Sequence, residues 1–482
     1  MPVSHSGDNL IIIDMYQNTA STGEPKIHLR RALGLFTSIL LVAGTMIGSG
    51  VYKKIIPMAK TGLSENWILL AWILAGVISM FGAFILAGLS TLTEESGGVY
   101  EYLRLSFGNF FSFMFGWTDF TIIGSASTAA VGFIFSQTIN SLIPLPDPFK
   151  SLEHISIGII HPFANSGVKL LTMVMIILLT WVNYLGVKKS GIVNNVVTSA
   201  KILGIAFLII AGLFYTPTAA VVHEGSVTIT SPNGGFFFNA VFAAMLSAFW
   251  AYDGWSNTSF VTGEIKNPKR NVPIAIISGV SIAMFLYVVV NYVYMHVLPL
   301  DQLAALGENN IGAVAVAERM IGKAGHIVIA ILIVISVFST MNALILTHSR
   351  IYYRMAQERY FFSGATRVHP VYRTPYISLL YNMIWSCILV VSGTFDILTD
   401  MVIFAGFLFY GLLAVALIKM KRKGLIKTNV IGYPVIPIVI ILFSFALVIN
   451  TIIVQPKQSA IGLLLVLTGV PFYYYFRKKQ TQ

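Results

Sequence analysis

The stretch Gly44-Thr45-Met46-Ile47-Gly48-Ser49-Gly50-Val51-Tyr52 lies deep inside the first apolar segment of the chain. Apolar runs flank it on both sides, so the segment as a whole is long enough to cross a membrane. Glycine inside a helix costs about 1 kcal/mol relative to alanine, and a backbone polar group left unbonded in lipid costs several kcal/mol more. Such a stretch indicates either a broken helix that directs its amides at an anionic ligand, or a close helix contact made by small residues.

Around this stretch, the chain has the composition of a polytopic helical membrane protein. Hydrophobic residues make up 56% of its 482 residues, charged residues make up 10%, and the mean hydropathy is +0.79. These values exclude an ordinary soluble protein, and no ten-residue alternation indicates a closed barrel. Because a helix needs about 20 apolar residues to cross a bilayer, we predict an all-α protein with twelve transmembrane helices, at residues 33–59, 67–92, 110–142, 168–186, 191–215, 236–263, 272–298, 323–356, 376–393, 396–420, 433–454 and 459–476.

The basic residues indicate how the chain is oriented in the membrane. With the N-terminus placed inside, 22 of the 31 lysines and arginines fall on the inner side and 8 on the outer side, where Lys53, Lys54 and Lys60 follow the first glycine-rich stretch. This asymmetry is typical of cytoplasmic loops. We therefore predict that both termini are cytoplasmic, and that the net charge of +12 reflects membrane orientation and not nucleic-acid binding.

Lys201 belongs to neither side, because it lies within the fifth predicted span. About ten residues separate it from the cytoplasmic start of that span, which places it about 15 Å deep. A charge at that depth costs several kcal/mol unless it is paired, and intramembrane charges usually mark function. The alternative is a lysine that extends toward the interface or forms a structural pair.

The sixth predicted span contains a second interruption, Phe249-Trp250-Ala251-Tyr252-Asp253-Gly254-Trp255. The two broken spans are five spans apart, and a repeat unit with an odd number of spans inverts its topology. Paired interruptions of this kind indicate the binding site of a transporter. We therefore predict a five-plus-five inverted repeat, with a cytoplasmic tail at residues 1–30, one repeat at 31–215, a second at 236–420, and two additional helices at 433–476.

The sequence gives no sign of a metal site, a cofactor or a disulfide. His154 and His161, in the loop at 143–167, lack the spacing of metal ligands. Cys387 is the only cysteine and falls within a predicted span, so no disulfide framework is possible. In the eighth span Ser336, Ser339 and Thr340 are spaced so that they share one helix face.

Taken in order, these residues resemble the amino acid–polyamine–organocation superfamily, and within it the L-type amino acid transporter family with its bacterial relatives. The resemblance covers nearly the whole chain. The residues that match the family are Gly44-Thr45-Met46-Ile47-Gly48-Ser49-Gly50, Ser96-Gly97-Gly98-Val99-Tyr100, Lys201, Trp250-Ala251-Tyr252-Asp253-Gly254-Trp255, Glu264-Ile265-Lys266-Asn267-Pro268, Phe338-Ser339-Thr340-Met341-Asn342 and Ser349-Arg350.

The resemblance implies a sodium-independent amino acid exchanger that works by alternating access. The substrate carboxylate would meet the amides of the first break and the Ser49 hydroxyl, and the ammonium group would meet carbonyls of both breaks. Trp250 would be the aromatic gate. The implied substrate-binding residues are Met46, Ile47, Gly48, Ser49, Gly50, Phe249, Trp250, Ala251 and Asp253.

Lys201 matches a lysine that the family places in the fifth span. In sodium-coupled relatives of the fold, a cation bridges spans 1 and 8 at this place. The resemblance implies that the Lys201 ammonium replaces that ion, directed at carbonyls near Gly44 and at the hydroxyl of Ser339 or Thr340.

The chain departs from the family pattern in two respects. Eukaryotic light subunits carry a partner-binding cysteine between spans 3 and 4, and residues 143–167 contain none, so we expect no disulfide-linked heavy subunit. Asp253 also stands where many members have a small residue. It either widens the substrate range to cationic amino acids, or it caps a helix fragment or pairs with a neighbouring donor. The missing cysteine and the short tails favour a bacterial inner (plasma) membrane protein.

Neutral L-α-amino acid exchange is the function that the sequence favours. A proton-coupled symporter is the alternative within the same fold, since Lys201, Asp253 and Glu264 can each titrate. An intramembrane enzyme would need a catalytic constellation in its spans, and the sequence contains no such motif. A channel would need a repeated filter sequence, which is also missing.

Overall fold

A computed structural model describes residues 33–93, 97–158, 160–186, 190–216 and 235–480, and the predicted tail at residues 1–30 lies outside this part. The described residues form helices joined by turns, with two isolated β-bridges. The α-helices are α1 Leu35–Met46, α2 Ser49–Lys53, α3 Ile55–Ala59, α4 Glu65–Leu89, α5 Gly98–Phe107, α6 Asn109–Thr118, α7 Gly124–Leu142, α8 Ser166–Leu185, α9 Ser190–Leu213, α10 Gly235–Tyr252, α11 Pro268–Val297, α12 Leu300–Ala305, α13 Gly312–Ile321, α14 Lys323–Gln357, α15 Tyr376–Ser392, α16 Phe395–Arg422, α17 Val435–Val454 and α18 Pro456–Gln480.

Three short segments complete the secondary structure. A π-helical turn, Asp119–Ile123, joins α6 to α7, so that the two form one long helix at 109–142. Two 3-10 segments, Lys150–Leu152 and Ser363–Thr366, lie in loops, and a third, Asn257–Glu264, continues the chain after α10.

The helices have the length and composition of membrane spans. Within the described residues, nine helices are long and apolar enough to cross a membrane. Three shorter apolar helices, α1, α10 and α15, lie at the predicted first, sixth and ninth spans. Leu442, Phe445 and Leu464 on α17 and α18 are more than 60% exposed, as expected of side chains that face lipid. The prediction of an all-helical polytopic membrane protein is confirmed.

The packing places the two interrupted helices next to each other at the centre of the bundle. Helix α1 packs against α11 and α9, while α10 packs against α4 and α16. Helix α7 packs against α14, α8 and α16, and α14 packs against α7, α15 and α9. Segments α2 and α10 also touch, so the interruptions of the first and sixth spans lie within contact distance.

Candidate functional site

The first predicted break lies where the glycines indicated it. Helix α1 ends at Met46 with a hydrogen bond from the Ile47 amide to the Ala43 carbonyl (2.8 Å), and Gly48 leaves the helical region with φ −141° and ψ −136°. Helix α2 then begins at Ser49. The interruption is therefore confined to two residues, and the amides that follow it lack carbonyl partners from a preceding turn.

The second predicted break is wider. Helix α10 ends at Tyr252, and Gly254 has φ +109°, a conformation that an L side chain rarely adopts. A turn follows, and the chain continues as the 3-10 segment Asn257–Glu264 instead of an α-helix. The sixth span thus consists of an α-helical half and a 3-10 half.

The two breaks are bonded to each other. The Thr45 hydroxyl donates to the Gly254 carbonyl at 3.1 Å, which joins the end of α1 to the turn after α10. Gly50 lies so close to α10 that a Cβ atom on it would be 2.5 Å from the Ala251 Cα. The absence of a side chain at position 50 therefore permits backbone contact between the two spans.

Trp250 lies directly over the first break. Its indole Nε1 donates to the Ser49 hydroxyl at 3.0 Å, and its ring meets Phe395 edge-on with centroids 6.1 Å apart. The structure thus brings the predicted gate residue onto a predicted carboxylate-binding residue. Six other residues predicted to bind substrate at the two breaks are also buried: Met46, Ile47, Gly48, Gly50, Phe249 and Ala251. Asp253 is half-buried.

Lys201 links the fifth span to the first and eighth spans. Its ammonium donates to the Gly44 carbonyl at 3.0 Å and to the Thr340 hydroxyl at 2.8 Å, and the side chain is 4% exposed. Of the two hydroxyls predicted for this contact, Thr340 makes it, whereas Ser339 is half-buried and is not among the described partners of Lys201. Hydrogen bonds from a charged donor are stronger than those between neutral groups, so this linkage holds the first half of the first predicted span in place.

Asp253 lies at the start of the second break and has a specific partner. The Tyr410 hydroxyl on α16 donates to Asp253 Oδ1 at 2.9 Å. Both residues line a small cavity together with Phe249, Phe407 and Ser79, at the junction of α4, α10 and α16. Sequence reasoning identified Asp253 and missed Tyr410, since the distance along the chain hides their contact.

Two lysines that the sequence places on the outer side are buried in the structure. Lys53 and Lys54 lie at the junction of α2 and α3 and are 2% and 1% exposed. The Lys54 ammonium is 2.8 Å from Asp396 Oδ1 and 3.7 Å from Asp400 Oδ1, both on α16. These three side chains join the second half of the first predicted span to the tenth predicted span.

Lys53 extends the same cluster to the third predicted span and to the loop between α12 and α13. Its ammonium donates to Gln137 Oε1 at 2.6 Å and to the Glu308 carbonyl at 2.5 Å. Both lysine ammonium groups lie about 5 Å from the Phe395 ring, at 5.0 and 4.9 Å from its centroid. Two adjacent lysines beside an interrupted span are the sequence signal that should have suggested such a cluster.

The opposite end of the bundle is covered by α5. Arg104 forms an ion pair with Glu101 at 2.5 Å and lies 3.6 Å from Glu358, the residue that follows α14. The Tyr100 hydroxyl donates to Glu358 Oε2 at 3.1 Å. Burial, and after it the charge of Glu358, raises the pKa of Tyr100 well above its usual value, so this hydroxyl remains a donor.

Comparison with known proteins identifies similar chains over almost the whole length. The family model for amino acid permeases matches residues 33–475. The serine/threonine exchanger SteT of Bacillus subtilis is 28% identical over 458 residues, an overlap that covers 94% of this chain and 98% of that protein.

Two mammalian proteins are similar to the same degree. The b(0,+)-type amino acid transporter 1 of Mus musculus is 29% identical over 465 residues, covering 95% of this chain and 91% of that protein. The large neutral amino acids transporter small subunit 2 of Homo sapiens is 28% identical over 467 residues, covering 94% of this chain and 82% of that protein.

Proposed function

The chain belongs to the amino acid permease family, and from this premise we propose that it is a sodium-independent exchanger of neutral L-α-amino acids. As a permease it is a transporter and not an enzyme. The observation that carries the proposal is the bond of the Lys201 ammonium to Gly44 and Thr340. The Lys201 ammonium lies between the first and eighth predicted spans, and we propose that it replaces a bound sodium ion there.

The proposed substrate site lies between the two breaks. The amides of Gly48, Ser49 and Gly50 and the Ser49 hydroxyl would bind the substrate carboxylate, because the start of a helix carries partial positive charge. Carbonyls of Met46 and Ile47, and carbonyls at residues 249–253 where α10 ends, would bind the ammonium group. In support, the two breaks are bonded to each other through Thr45 and Gly254.

The proposed gate is Trp250. In this conformation its indole donates to Ser49, which is a hydroxyl that a substrate carboxylate would also use. Substrate entry would therefore require the ring to leave Ser49. The contact between Gly50 and Ala251 would have to loosen at the same time, since it leaves little room between the two spans.

The proposed architecture has twelve spans, with repeats at residues 31–215 and 236–420 and two further helices at 433–476. The packing supports it: α1 on α11 corresponds to α10 on α4, and α7 on α16 corresponds to α14 on α9. In predicted spans, the contact of 1 with 7 matches that of 6 with 2, and the contact of 3 with 10 matches that of 8 with 5. An inverted repeat of five spans requires such matching contacts.

The proposed location is the inner membrane of a bacterial cell, with both termini in the cytoplasm and no disulfide-linked heavy subunit. The excess of basic residues on one side supports the orientation. Cys387 is the only cysteine of the chain and lies within α15, where a partner chain outside the membrane cannot reach it.

Counter-transport in proteoliposomes tests the proposed exchange. Uptake of radiolabelled alanine or serine should be stimulated at least about tenfold by an internal neutral amino acid, and should not change when choline replaces sodium. Vesicles loaded with sucrose instead of an amino acid are the control. Uptake that needs a sodium gradient, or uptake that proceeds equally well into empty vesicles, would contradict the proposal.

Asp253 supports a second candidate, an exchanger that also accepts cationic amino acids. A carboxylate beside a small cavity next to the substrate site suits a positively charged side chain. We expect Asp253→Asn to lower the ratio of arginine to alanine uptake at least about fivefold, because a charged hydrogen bond contributes about 1.5–3 kcal/mol. Competition of labelled alanine uptake by unlabelled arginine measures this ratio.

Tyr410→Phe is the matched variant for that experiment. It keeps the ring and removes the hydroxyl that donates to Asp253, so the carboxylate becomes free for a cationic substrate. The arginine-to-alanine ratio should therefore rise in Tyr410→Phe and fall in Asp253→Asn. Equal ratios in both variants would show that Asp253 has a structural role only.

A further inference from the structure

A buried pair of ionisable side chains lies outside the proposed substrate and lysine sites. His348 on α14 places Nδ1 at 3.0 and 2.9 Å from the two carboxylate oxygens of Asp119, on the third span. The two side chains are 3% and 1% exposed. Ionisable groups within a membrane span are costly, and such His and Asp pairs are typical of proton relays.

The local structure is adapted to this contact. Asp119 opens the π-helical turn Asp119–Ile123, and π-turns inside α-helices occur frequently at functional sites. A Cβ atom on Gly124 would lie 2.7 Å from His348 Cγ and Nδ1, so the imidazole reaches Asp119 across a position without a side chain. The Tyr352 hydroxyl donates to the Asp119 carbonyl at 3.3 Å.

The charges around His348 favour a bound proton. Asp119 faces it from the third span. Asp253 lies at the break in the sixth span, where Tyr410 donates to it. Tyr352, on the same helix as His348, also contacts Asp119, through the Asp119 backbone carbonyl. A neutral imidazole would leave the buried Asp119 carboxylate uncompensated, whereas an imidazolium compensates it, and burial penalises uncompensated charge.

The 3-10 half of the sixth span covers the pair. The Phe260 ring lies 6.2 Å from the His348 ring, measured between centroids. The start of α5 packs closely against the 3-10 segment, since a Cβ atom on Gly98 would be 2.6 Å from Phe260 Cδ1. Both elements lie at the end of the bundle that we place in the cytoplasm, so movement of the 3-10 segment would open the pair to cytoplasmic water.

We propose that Asp119 and His348 form a proton-binding site that is reached from the cytoplasmic side, and that its occupancy sets the rate of exchange. The proton enters from cytoplasmic water onto the imidazole and leaves to the same side, so it is not carried across the membrane. The protonated pair ties the third span to the eighth, and its deprotonation weakens this tie. This inference goes beyond the proposed exchange but uses its orientation in the membrane.

The pH dependence of exchange tests the proposal. In wild-type proteoliposomes with equal pH on both sides, exchange should change at least about fivefold between about pH 5 and pH 8. His348→Gln should slow exchange, since it leaves the Asp119 carboxylate buried and uncompensated, whereas Asp119→Asn, which lets the imidazole lose its proton, should remove most of the pH dependence. The double variant D119N/H348Q replaces the pair by two neutral amides; it should recover most of the rate and show no pH dependence.

His326 provides the matched control. It forms the same type of contact, with Nδ1 2.9 Å from Glu318 Oε2, but on the exposed outer side of the bundle. His326→Gln should keep the wild-type pH profile. A wild-type pH profile retained in D119N/H348Q would overturn the proposal and leave the pair a structural one.

Thermal unfolding in detergent provides a readout that does not need transport. If the pair binds a proton, the difference in melting temperature between wild type and D119N/H348Q should be largest at low pH and shrink as pH rises. A difference that is the same at every pH would overturn the proton site, even if exchange proves active. If the pure protein does not exchange amino acids but shows this pH-dependent difference in melting temperature, the proposed function is contradicted and the proton site is not.

Discussion

Replacing Gly50 with alanine should reduce amino acid exchange at least about tenfold, because the added methyl group would clash with the sixth span. Its Cβ would lie 2.5 Å from the Ala251 Cα, a backbone atom that cannot rotate away. The two breaks would be forced apart where we place the substrate carboxylate. Initial rates of counter-transport, normalised to the amount of inserted protein, measure the effect.

Gly34→Ala is the control for this substitution. It lies on the same predicted span, and a Cβ there would meet nothing within 4 Å, so exchange should stay near the wild-type rate. Adding Ala251→Gly to the Gly50 variant should not restore exchange, since the closest atom is the backbone Cα. Exchange at the wild-type rate in Gly50→Ala would show that the close contact is unimportant for transport.

Replacing Lys201 with alanine should have an effect of similar size. The substitution removes two charged hydrogen bonds, to Gly44 and Thr340, each worth about 1.5–3 kcal/mol, and leaves both acceptors buried. We expect exchange to fall at least about tenfold. Thr340→Val, which removes one of the two partners and keeps the lysine, should give an intermediate rate.

Lys169→Ala is the control that removes a buried ammonium group elsewhere in the protein. Lys169 on α8 also donates to backbone carbonyls, at 2.6 Å from His161 and 3.2 Å from Val391, but lies away from the two breaks. Its exchange per folded molecule should stay near the wild-type value. Recovery of Lys201→Ala by added sodium would support replacement of the ion, whereas full activity of this variant without sodium would refute it.

The features predicted from sequence are those that a local pattern encodes. The spans follow from runs of apolar residues, and the breaks from glycines inside such runs. Lys201 was identified because a single charge deep in an apolar segment is visible without knowing its partners. Its choice of Thr340 over Ser339 depends on the rotation of α14, which the spacing of three hydroxyls on one face does not determine.

The features that sequence reasoning missed are contacts between distant segments. Lys54 and Asp396 are 342 positions apart, and Asp119 and His348 are 229 positions apart. Each residue is visible as an ionisable group in or beside a span, but its partner is determined by which helices pack together. The burial of Lys53 and Lys54 was also not predicted, because together with Lys60 they resemble the start of a solvent-exposed outer loop.

The attachment of the Lys201 ammonium to the protein limits what the proposed exchanger can achieve. An ion that travels with the substrate adds the energy of its own gradient to accumulation. An ammonium fixed to the fifth span stays behind when the substrate leaves, so it adds none. At steady state the inside-to-outside concentration ratios of the exchanged amino acids must then become equal, and net accumulation of one depends on whatever process maintains the gradient of the other.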